Sequence, residues 1–520
     1  MEHNWDQRLG VWWIAADHPD RPAIVASPSG VTLSFGQLAG MAHQVVHALR
    51  MRGIGVGDVI AYALPNDADM LWWQLGLQEA GVHALALNPA WSADEIGSVL
   101  EHARASGIVV GRQFAEHVAG LAGPALPPLR VVVGGELAGY ERYEDFVAGC
   151  PQTEPEGRQF APPITYSSGT TGKPKAISRR AADGDPAVIA DQMKLFGRAF
   201  QFEPFGGVHL VSAGMHHGGC QSFYQGALNV GQALAIMGRF DAERALDMIS
   251  RHRVTTGYMV PTQFVRLLRL PAEVREAYDV SSLRVVVHSA APCPLEVKRQ
   301  MMEWWGPVIW ETYGGMEGAA TIAKPYRWLE KPGTVGRAVR GMTVKILDDD
   351  GADVPAGVLG QVYLEPDLPT FEYRNDPALT ASVHRGRAFT LGDIGFLDED
   401  GYLFLRDRAK DMIISGGVNI YPAESEAVLS AHPAVGDVAV IGIPDDEWGE
   451  SVKAVVELAD GYVPSEELAA ELIASCRGQL AGYKCPRSVD FTEHLPRTDG
   501  GKLFKRRLRD QYRRLAEASE

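Results

Sequence analysis

The segment Tyr166–Ile177, YSSGTTGKPKAI, constrains this chain more than any other because glycines, hydroxyls and lysines follow a strand-like entry. The apolar residues Pro163–Thr165 predict the end of that strand. Glycine lets backbone amides approach an anion closely, and hydroxyls add donors without bulk. Lys173 and Lys175 would neutralise phosphoryl oxygens. The segment therefore predicts a phosphate-binding loop at the end of a strand.

This loop does not have the spacing of a Walker loop. The distance from Gly169 to the Gly172–Lys173 pair is too short, and no serine or threonine follows the lysine. A loop rich in serine, threonine and glycine is more often a plain surface turn. Its assignment to a phosphate therefore depends on the motifs downstream.

Length and composition indicate a multidomain globular protein. The chain has 520 residues, with 46% hydrophobic and 22% charged residues, which suits two or more domains. The formal net charge of -16 argues against a general nucleic-acid binder, whose contact surface should be basic. We therefore expect no nucleic-acid partner.

The cysteine pattern and the N-terminal sequence predict a cytoplasmic location. Five cysteines are scattered without the paired spacing of a metal site, which suits a reducing compartment. The N-terminus lacks a basic start followed by an apolar core, so we expect no secretory signal. No apolar run approaches the roughly 18 residues of a membrane span, so no integral membrane contact is expected.

The first half of the chain alternates helical and strand-like patterns, which is typical of a layered α/β domain. Residues 37–50 predict a helix and residues 59–64 a buried strand. Ser92 and Glu95 have the spacing of a capping box at the start of another helix. Residues 283–288 predict a strand that leads into the small-residue turn Ser289–Pro292.

From Val344 the pattern changes to short strands and turns, ending in a predicted hairpin that closes at Arg408. After Lys410 a compact α+β pattern begins, with helices near 423–429 and 466–480, a strand at 438–443 and a basic helix near Lys502. The expected fold class is α/β and α+β multidomain: a large layered α/β N-terminal domain with a β-rich subdomain, plus a small mobile α+β C-terminal domain. We place the domains at 1–407 and 408–520.

Several further motifs follow the phosphate loop at informative distances. They are SAAP (Ser289–Pro292), WETYGGMEG (Trp310–Gly318), TLGDIG (Thr390–Gly395), DRAKDMI (Asp407–Ile413), SGGVN (Ser415–Asn419) and LPRTDGGKLFKRRLR (Leu495–Arg509). Together with the loop they resemble the signatures of the adenylate-forming superfamily, which includes acyl-CoA synthetases, nonribosomal adenylation domains and beetle-type luciferases. The resemblance covers roughly Pro22 to Arg509.

The resemblance implies a nucleotide site and a set of catalytic residues. The implied nucleotide-binding residues are Ser167, Ser168, Gly169, Thr170, Thr171, Gly172, Lys173, Ser289, Ala290, Ala291, Tyr313, Gly314, Met316, Asp393 and Arg408. The implied catalytic residues are Lys502, Glu317, Lys175 and His217, with Glu317 and Thr170 at a magnesium ion. The implied cofactors and substrates are ATP, Mg²⁺, CoA, a carboxylic acid and its acyl-AMP.

The family pattern also implies individual roles. Tyr313 would lie against adenine, Asp393 would accept both ribose hydroxyls, and Lys502 would bridge the carboxylate and the α-phosphate. Lys410 would be the hinge about which the small domain rotates. Gly416 and Gly417 would line the tunnel for the pantetheine arm of CoA.

Two residues depart from the family pattern. Met316 stands where a threonine is usual, and Ala176 where a glycine is common. Losing one hydrogen bond to a charged group costs about 1.5–3 kcal/mol. If it is lost only in the transition state, the rate falls about 10- to 100-fold. Met316 therefore predicts weakened adenylation.

The leading hypothesis is an acyl-CoA ligase for a hydrophobic, bulky or polycyclic acid. The segments IISGGVNIYPAE (413–424) and YKCPRSVDF (483–491) most resemble bacterial fatty-acid, aryl-acid and steroid- or bile-acid CoA ligases. One alternative is a specialised ligase that mainly thioesterifies preformed acyl-AMP. Others are a non-catalytic acyl-nucleotide binder and a light-producing oxygenase, and a homodimer stays open. His43 and His47, which have zinc-helix spacing, lack the acid and third ligand of such a site and are interpreted as packing or surface histidines.

Overall fold

The computed structural model describes residues 5–89, 91–121, 126–167, 175–179, 184–368, 371–408, 410–415, 418–445, 448–497 and 503–517. The helices are α1 (Val11–Asp17), α2 (Phe35–Met51), α3 (Ala68–Glu79), α4 (Ala93–Ala103), α5 (Ala115–Val118), α6 (Tyr143–Phe146), α7 (Pro186–Gln192), α8 (Lys194–Ala199), α9 (Gly218–Asn229), α10 (Ala242–His252), α11 (Pro261–Leu268), α12 (Ala272–Glu276), α13 (Leu295–Trp305), α14 (Pro325–Glu330), α15 (Pro377–Val383), α16 (Pro422–Ser430), α17 (Glu466–Arg477) and α18 (Lys505–Glu517).

The strands extend over the whole chain and outnumber the helices among the described residues. They are β1 (Pro22–Ala26), β2 (Leu33–Ser34), β3 (Val59–Ala63), β4 (His83–Ala86), β5 (Gly107–Gly111), β6 (Leu129–Val133), β7 (Glu141–Arg142), β8 (Thr165–Ser167), β9 (Lys175–Arg179), β10 (Val208–Val211), β11 (Ala233–Ile236), β12 (Thr256–Met259), β13 (Val285–His288), β14 (Ile309–Gly315), β15 (Gly318–Ala323), β16 (Thr334–Ala338), β17 (Met342–Leu347), β18 (Gly360–Pro366), β19 (Phe371–Tyr373), β20 (His384–Arg385), β21 (Ala388–Leu397), β22 (Leu403–Arg408), β23 (Ile413–Ser415), β24 (Val418–Ile420), β25 (Val435–Asp445), β26 (Gly449–Leu458) and β27 (Ser488–Thr492).

The chain forms two compact units. The first comprises Met1–Met259, Val265–Val287 and Thr370–Pro377, and the second comprises Val260–Phe264, His288–Pro369 and Ala378–Glu520. Alternating helices and strands in the first and mostly antiparallel strands in the second confirm the predicted mixed α/β class. The predicted domain boundary between 407 and 408 stays a prediction.

The first unit is layered around parallel strands. One sheet has the order β4-β3-β5-β6-β7 and is parallel throughout. Another part contains β10, β11 and β12 in parallel, with β1 and β2 at its edge. Helices cover such sheets because parallel strands need crossover connections and bury both faces. A third, antiparallel sheet has the order β19-β9-β8.

The second unit contains two antiparallel arrays. In one, β15 pairs with both β14 and β16, and β21 pairs with both β18 and β22. The predicted hairpin is present as β21 and β22, joined by a turn in which Asp398 Oδ1 accepts the amides of Asp400 and Tyr402. In the other array β25 and β26 form a long hairpin, and β27 adds in parallel to β26.

Local sequence signals set the helix boundaries. The predicted capping box is confirmed: Ser92 Oγ accepts the amide of Glu95 at 3.3 Å, and the Glu95 carboxylate accepts the amide of Ser92 at 2.9 Å. Helix α17 ends at Arg477, three residues before the predicted end, because Gly478 at its C-cap is a poor helix former. No helix in the described part of the chain is long and apolar enough to cross a membrane.

Candidate active site

The described site residues fall into two sets, one in each compact unit. The first unit contains Ser167, Lys175 and His217; the second contains Ser289, Ala290, Ala291, Tyr313, Gly314, Met316, Glu317, Asp393, Arg408 and Lys410. The remaining predicted residues, Ser168, Gly169, Thr170, Thr171, Gly172, Lys173, Gly416, Gly417 and Lys502, lie outside the described residues.

The predicted phosphate loop connects two paired strands of the first unit. Strands β8 and β9 are antiparallel, with Tyr166 opposite Ala176 and Ser167 opposite Lys175. The predicted strand end before the loop is therefore confirmed. Lys175 is the first residue after the loop and begins β9, so the strand pairing determines where its backbone lies.

The Lys175 side chain has an aromatic neighbour. Its ammonium lies 5.5 Å from the centroid of the Tyr373 ring. Tyr373 reaches this place because β19 pairs with β9, and the Arg374 amide donates to the Ala176 carbonyl at 2.9 Å. A cation over an aromatic face is attracted by the ring quadrupole. The arrangement favours one position for the Lys175 charge.

Ala176, one of the two departures from the family pattern, has a packing role. Its side chain is buried and belongs to a hydrophobic cluster that includes Ile164 and Tyr166. The Tyr166 hydroxyl is anchored in turn, with His102 Nδ1 at 2.7 Å. The methyl group of Ala176 is therefore accommodated in the core of the unit.

In the second unit, the predicted magnesium residue lies at the tip of a hairpin. Strands β14 and β15 pair Gly315 with Gly318, so Met316 and Glu317 form the two-residue turn. A Cβ atom added at Gly315 would collide with the Glu317 carboxylate and with Leu391. The glycine therefore makes space for the acid, and Met316 occupies the same turn as Glu317.

Tyr313, Asp393 and Arg408 form a connected group. The Tyr313 hydroxyl donates to Asp393 Oδ2 at 2.7 Å, and Arg408 Nε lies 3.4 Å from Asp393 Oδ1. Asp393 and Arg408 are opposite each other on β21 and β22. Burial, followed by the charge of Asp393, raises the pKa of Tyr313 well above its usual value. Tyr313 is therefore a neutral donor, and it orients the carboxylate predicted to bind ribose.

The Ser289–Pro292 turn holds an unusual backbone conformation. Ala290 has a φ of 74°, in the left-handed region that L-residues with a side chain adopt at some cost. A methyl group is the smallest side chain that can occupy this position. Strain of this kind motivates a functional interpretation, and the turn follows directly on the end of β13.

His217 precedes helix α9 in the first unit. Its ring lies 4.0 Å from that of His216, and burial, with His217 as a second cause, lowers the pKa of His216 well below its usual value. Two residues further on, a Cβ added at Gly219 would lie 2.6 Å from the hydroxyl of Tyr258. Tyr258 itself stacks on Phe223 with ring centroids 5.0 Å apart.

The predicted hinge residue Lys410 has a perturbed side chain. Desolvation, together with the charges of Arg408 and Arg509, lowers the pKa of Lys410 to about 8. The following residue, Asp411, accepts from Arg509 Nη2 of α18 at 2.9 Å. An ion pair therefore links the turn after Lys410 to the C-terminal helix of the same unit.

The residues present fit a magnesium ion bound through phosphate. Glu317 provides a hard carboxylate ligand at an exposed hairpin tip. Among the described residues no group of three or more His, Cys, Asp or Glu could hold a metal by itself. Mg²⁺ usually takes one or two carboxylates and completes its shell with water and substrate phosphates, which agrees with a single protein carboxylate here.

Sequence reasoning missed two features. Tyr373 approaches Lys175 only through the pairing of β19 with β9, and its sequence neighbourhood gives no phosphate signal. Lys298 forms a buried ion pair with Glu311. Its signal was available, because Lys298 lies at helical spacing with the buried Met301, Met302 and Trp305 on α13, and a charge on an apolar face needs a partner.

Comparisons with known proteins identify the family. Residues 11–367 match the family model described as "AMP-binding enzyme", and residues 424–502 match "AMP-binding enzyme C-terminal domain". A fatty acid–[acyl-carrier-protein] ligase of Streptomyces coeruleorubidus is 30% identical over 508 residues, covering 96% of this chain and 95% of that protein. A long-chain-fatty-acid–CoA ligase of Mycobacterium tuberculosis is 31% identical over 503 residues, covering 95% and 96%.

Two more matches extend the range of acids. A Rhodococcus jostii propanoyl:CoA ligase, whose acyl group carries a methyl-dioxo-octahydroindene ring system, is 30% identical over 506 residues, covering 92% of this chain and 94% of that protein. The solved structure of an anthranilate CoA ligase with anthranoyl-AMP has a TM-score of 0.86 and 26% identity, covering 98% of this chain and 99% of that one. The chain therefore belongs to the AMP-binding enzyme family, as a ligase of the adenylate-forming superfamily with a large N-terminal and a small C-terminal domain.

Proposed function

We propose that this enzyme joins a hydrophobic carboxylic acid to CoA through an acyl-adenylate. A carboxylate oxygen attacks the α-phosphorus of ATP, and the bond to the leaving pyrophosphate breaks. The CoA thiolate then attacks the acyl carbon, and AMP leaves with the oxygen that joined it to the acyl group. The observation that carries the proposal is the Tyr313–Asp393–Arg408 group, which presents an oriented carboxylate in a chain that matches the family over both domains.

The described residues support a division of roles in adenylation. Asp393 would accept the ribose hydroxyls, since its two oxygens are already oriented by Tyr313 and Arg408. Lys175 would neutralise phosphate oxygens, and its charge is steadied by Tyr373. Glu317 and Thr170 would hold Mg²⁺, which when bound supplies positive charge across the phosphates.

The second half-reaction involves residues on the C-terminal side. The small domain, 408–520, would rotate about Lys410 after adenylation, moving Lys502 away from the α-phosphate. Gly416 and Gly417 would then line the passage for pantetheine. The ion pair between Asp411 and Arg509 supports this proposal, because it lets the turn after the hinge and α18 move as one piece.

The acid is proposed to be bulky, and polycyclic acids are included. Two observations support this size class. Relatives include enzymes for fatty acids and for an acid with a fused ring system. In the first unit, the residues after His217 are glycines, with Gly219 against Tyr258 and the Tyr258 ring stacked on Phe223, so small and aromatic surfaces follow the predicted acyl-pocket histidine.

Met316 favours a second candidate function, a ligase with impaired adenylation that mainly thioesterifies preformed acyl-AMP. Its side chain shares a two-residue turn with Glu317, where the family pattern has a hydroxyl. A paired assay separates the candidates. One arm supplies free acid, ATP, Mg²⁺ and CoA, and the other supplies synthetic acyl-AMP and CoA, both with a panel of fatty, aryl and polycyclic acids.

The outcomes of the paired assay are distinct. Acyl-CoA in both arms establishes the full ligase and its acid class. Acyl-CoA from acyl-AMP alone establishes the specialised ligase. Binding of acyl-AMP without product in either arm contradicts both and leaves a non-catalytic binder. Replacing CoA by a holo acyl-carrier protein in both arms tests the acceptor, since one relative uses that acceptor.

Location and association belong to the same proposal. We expect a cytoplasmic enzyme, and fractionation of cells expressing the full chain measures this directly. Light scattering coupled to size-exclusion chromatography distinguishes a monomer from a homodimer.

A further inference from the structure

A cluster of ionisable side chains is buried in the second unit and has no part in the chemistry described above. Lys298 Nζ on α13 lies 2.6 Å from Glu311 Oε2 on β14, and His288 Nε2 lies 3.4 Å from the same oxygen. The side chains of Lys298 and His288 have no solvent exposure. The Lys298 ammonium also lies 4.7 Å from the ring centroid of Trp328 on α14.

The charge state of the cluster follows from its composition. Although burial alone would raise it, Lys298 and His288 hold the pKa of Glu311 down, to about 2. Burial, followed by the Lys298 charge, lowers the pKa of His288. The cluster therefore contains an ionised glutamate and a neutral imidazole, with Lys298 as the compensating cation.

Stability alone is a weak explanation for such a group. Removing two charges from water is costly, and a buried ion pair can often be replaced by apolar residues of similar volume without loss of stability. The best attested role of buried polar groups is to specify one arrangement of the elements that carry them. The elements joined here are α13, β14, α14 and the end of β13.

Two of these elements lead directly into the predicted adenine site. His288 is followed at once by the Ser289–Pro292 turn, whose Ala290 is strained. Glu311 and Tyr313 are two residues apart on β14 and project from the same face of the strand. The ion pair thus lies behind both segments that are expected to face adenine.

We propose that Lys298 and Glu311, with His288, are positioning residues that hold the Ser289–Pro292 turn and Tyr313 in the arrangement that accepts the adenine. They act through those segments and do not touch the reacting atoms. This inference rests on the proposed nucleotide site and extends it to residues that have no assigned role.

The test uses the double variant Lys298→Met/Glu311→Leu in the full-length enzyme. Removing both charges avoids leaving one buried and unpaired. The melting temperature, the Kd for AMP by calorimetry, and kcat and KM for ATP, acid and CoA are measured. The proposal predicts a folded variant in which the Kd for AMP and the KM for ATP rise at least tenfold, while the KM for CoA changes less than threefold.

A second variant keeps the test decisive if the double variant does not fold. Glu311→Gln preserves volume and an oxygen that accepts from Lys298, and it should raise the Kd for AMP about three- to tenfold. The matched control is Arg327→Met/Glu330→Leu, which removes an exposed ion pair of 2.7 Å on α14 and should leave the Kd unchanged. AMP affinity equal to wild type in the folded double variant, or in Glu311→Gln, overturns the inference. Failure of the unmodified enzyme to bind AMP would instead contradict the proposed function.

Discussion

At the scale of single residues, Met316 is where a side chain can alter the rate without altering the fold. It lies in the hairpin turn beside Glu317. Met316→Thr should raise ATP-dependent pyrophosphate release about 10- to 100-fold, because a hydrogen bond to a charged group is worth about 1.5–3 kcal/mol. Pyrophosphate release with saturating acid measures this directly.

Thioester formation from synthetic acyl-AMP is the internal control for Met316. That step needs no pyrophosphate departure, so its rate should change less than threefold. Met316→Leu, which changes shape without adding a hydroxyl, should leave both rates near wild type. Equal pyrophosphate release by the threonine and leucine variants would show that the hydroxyl is not the missing element.

Tyr313 provides a second test at this scale, through its hydroxyl alone. In Tyr313→Phe the ring remains, but Asp393 loses a donor at 2.7 Å. Because hydrogen bonds to charged groups contribute about 1.5–3 kcal/mol, we expect the Kd for AMP to rise roughly 10- to 100-fold. Calorimetry measures it, and Tyr326→Phe, on an exposed tyrosine of the same unit, should have no effect. A tight-binding Tyr313→Phe enzyme would mean that Arg408 alone orients the carboxylate.

At the scale of elements, local signals explain what the sequence could predict. The capping box of α4 and the β21–β22 hairpin depend on neighbouring residues, and both are present. Asp393 and Arg408 meet because that hairpin pairs them, so their proximity follows from a local pattern. Tyr313 joins them from a distant strand, and only the family motif indicated it.

Other contacts depend on pairings that no local pattern reveals. β19 pairs with β9 although nearly two hundred residues separate them in the chain, and loop-closure entropy gives no preference for one distant partner over another. The short strand FEY therefore could not be assigned to the phosphate loop. The Lys298–Glu311 pair is different, because a lysine on the apolar face of α13 signalled a buried partner without identifying it.

The placement of β19 makes a prediction about Tyr373. Tyr373→Leu removes the ring beneath Lys175, whereas Tyr373→Phe keeps it. A cation–π contact is worth about 0.5–2 kcal/mol, so we expect the leucine variant to lose about 2- to 30-fold in kcat/KM for ATP. The phenylalanine variant should remain within twofold of wild type. Steady-state adenylation kinetics measure both, and equal loss in the two variants would indicate a role for the hydroxyl instead.

At the scale of the whole molecule, one buried network in the first unit joins segments that are far apart in the chain. His43 Nε2 of α2 lies 3.4 Å from Glu79 Oε1 of α3, and Arg158 Nη1 lies 3.2 Å from the same oxygen. Arg158 Nη2 also lies 3.3 Å from Asp185, whose carboxylate caps α7. Because Arg158 and Asp185 lie on opposite sides of the phosphate loop in the chain, this network anchors both approaches to it.

His43 makes the stability of this unit depend on pH. Desolvation alone would lower the pKa of His43, but the hydrogen bond and charge of Glu79 outweigh it and raise that pKa. A group whose folded pKa is raised contributes stability that is complete below its unfolded pKa of about 6.5 and is lost as pH rises through the folded value. The imidazolium–Glu79 contact should therefore weaken between about pH 6 and pH 8.

The experiment compares His43→Gln with wild type over that range. Hydrogen exchange of the α2 amides during thermal unfolding reports this unit separately from the other. Wild type should lose more protection from about pH 6 to about pH 8 than the variant, whose glutamine cannot gain a proton. His47→Gln is the matched control, because His47 lies one turn along the same helix and contacts only a backbone carbonyl among its described hydrogen bonds. Parallel pH profiles for wild type and His43→Gln would show that His43 is neutral in the folded enzyme, and the network would then depend on Arg158 for its positive charge.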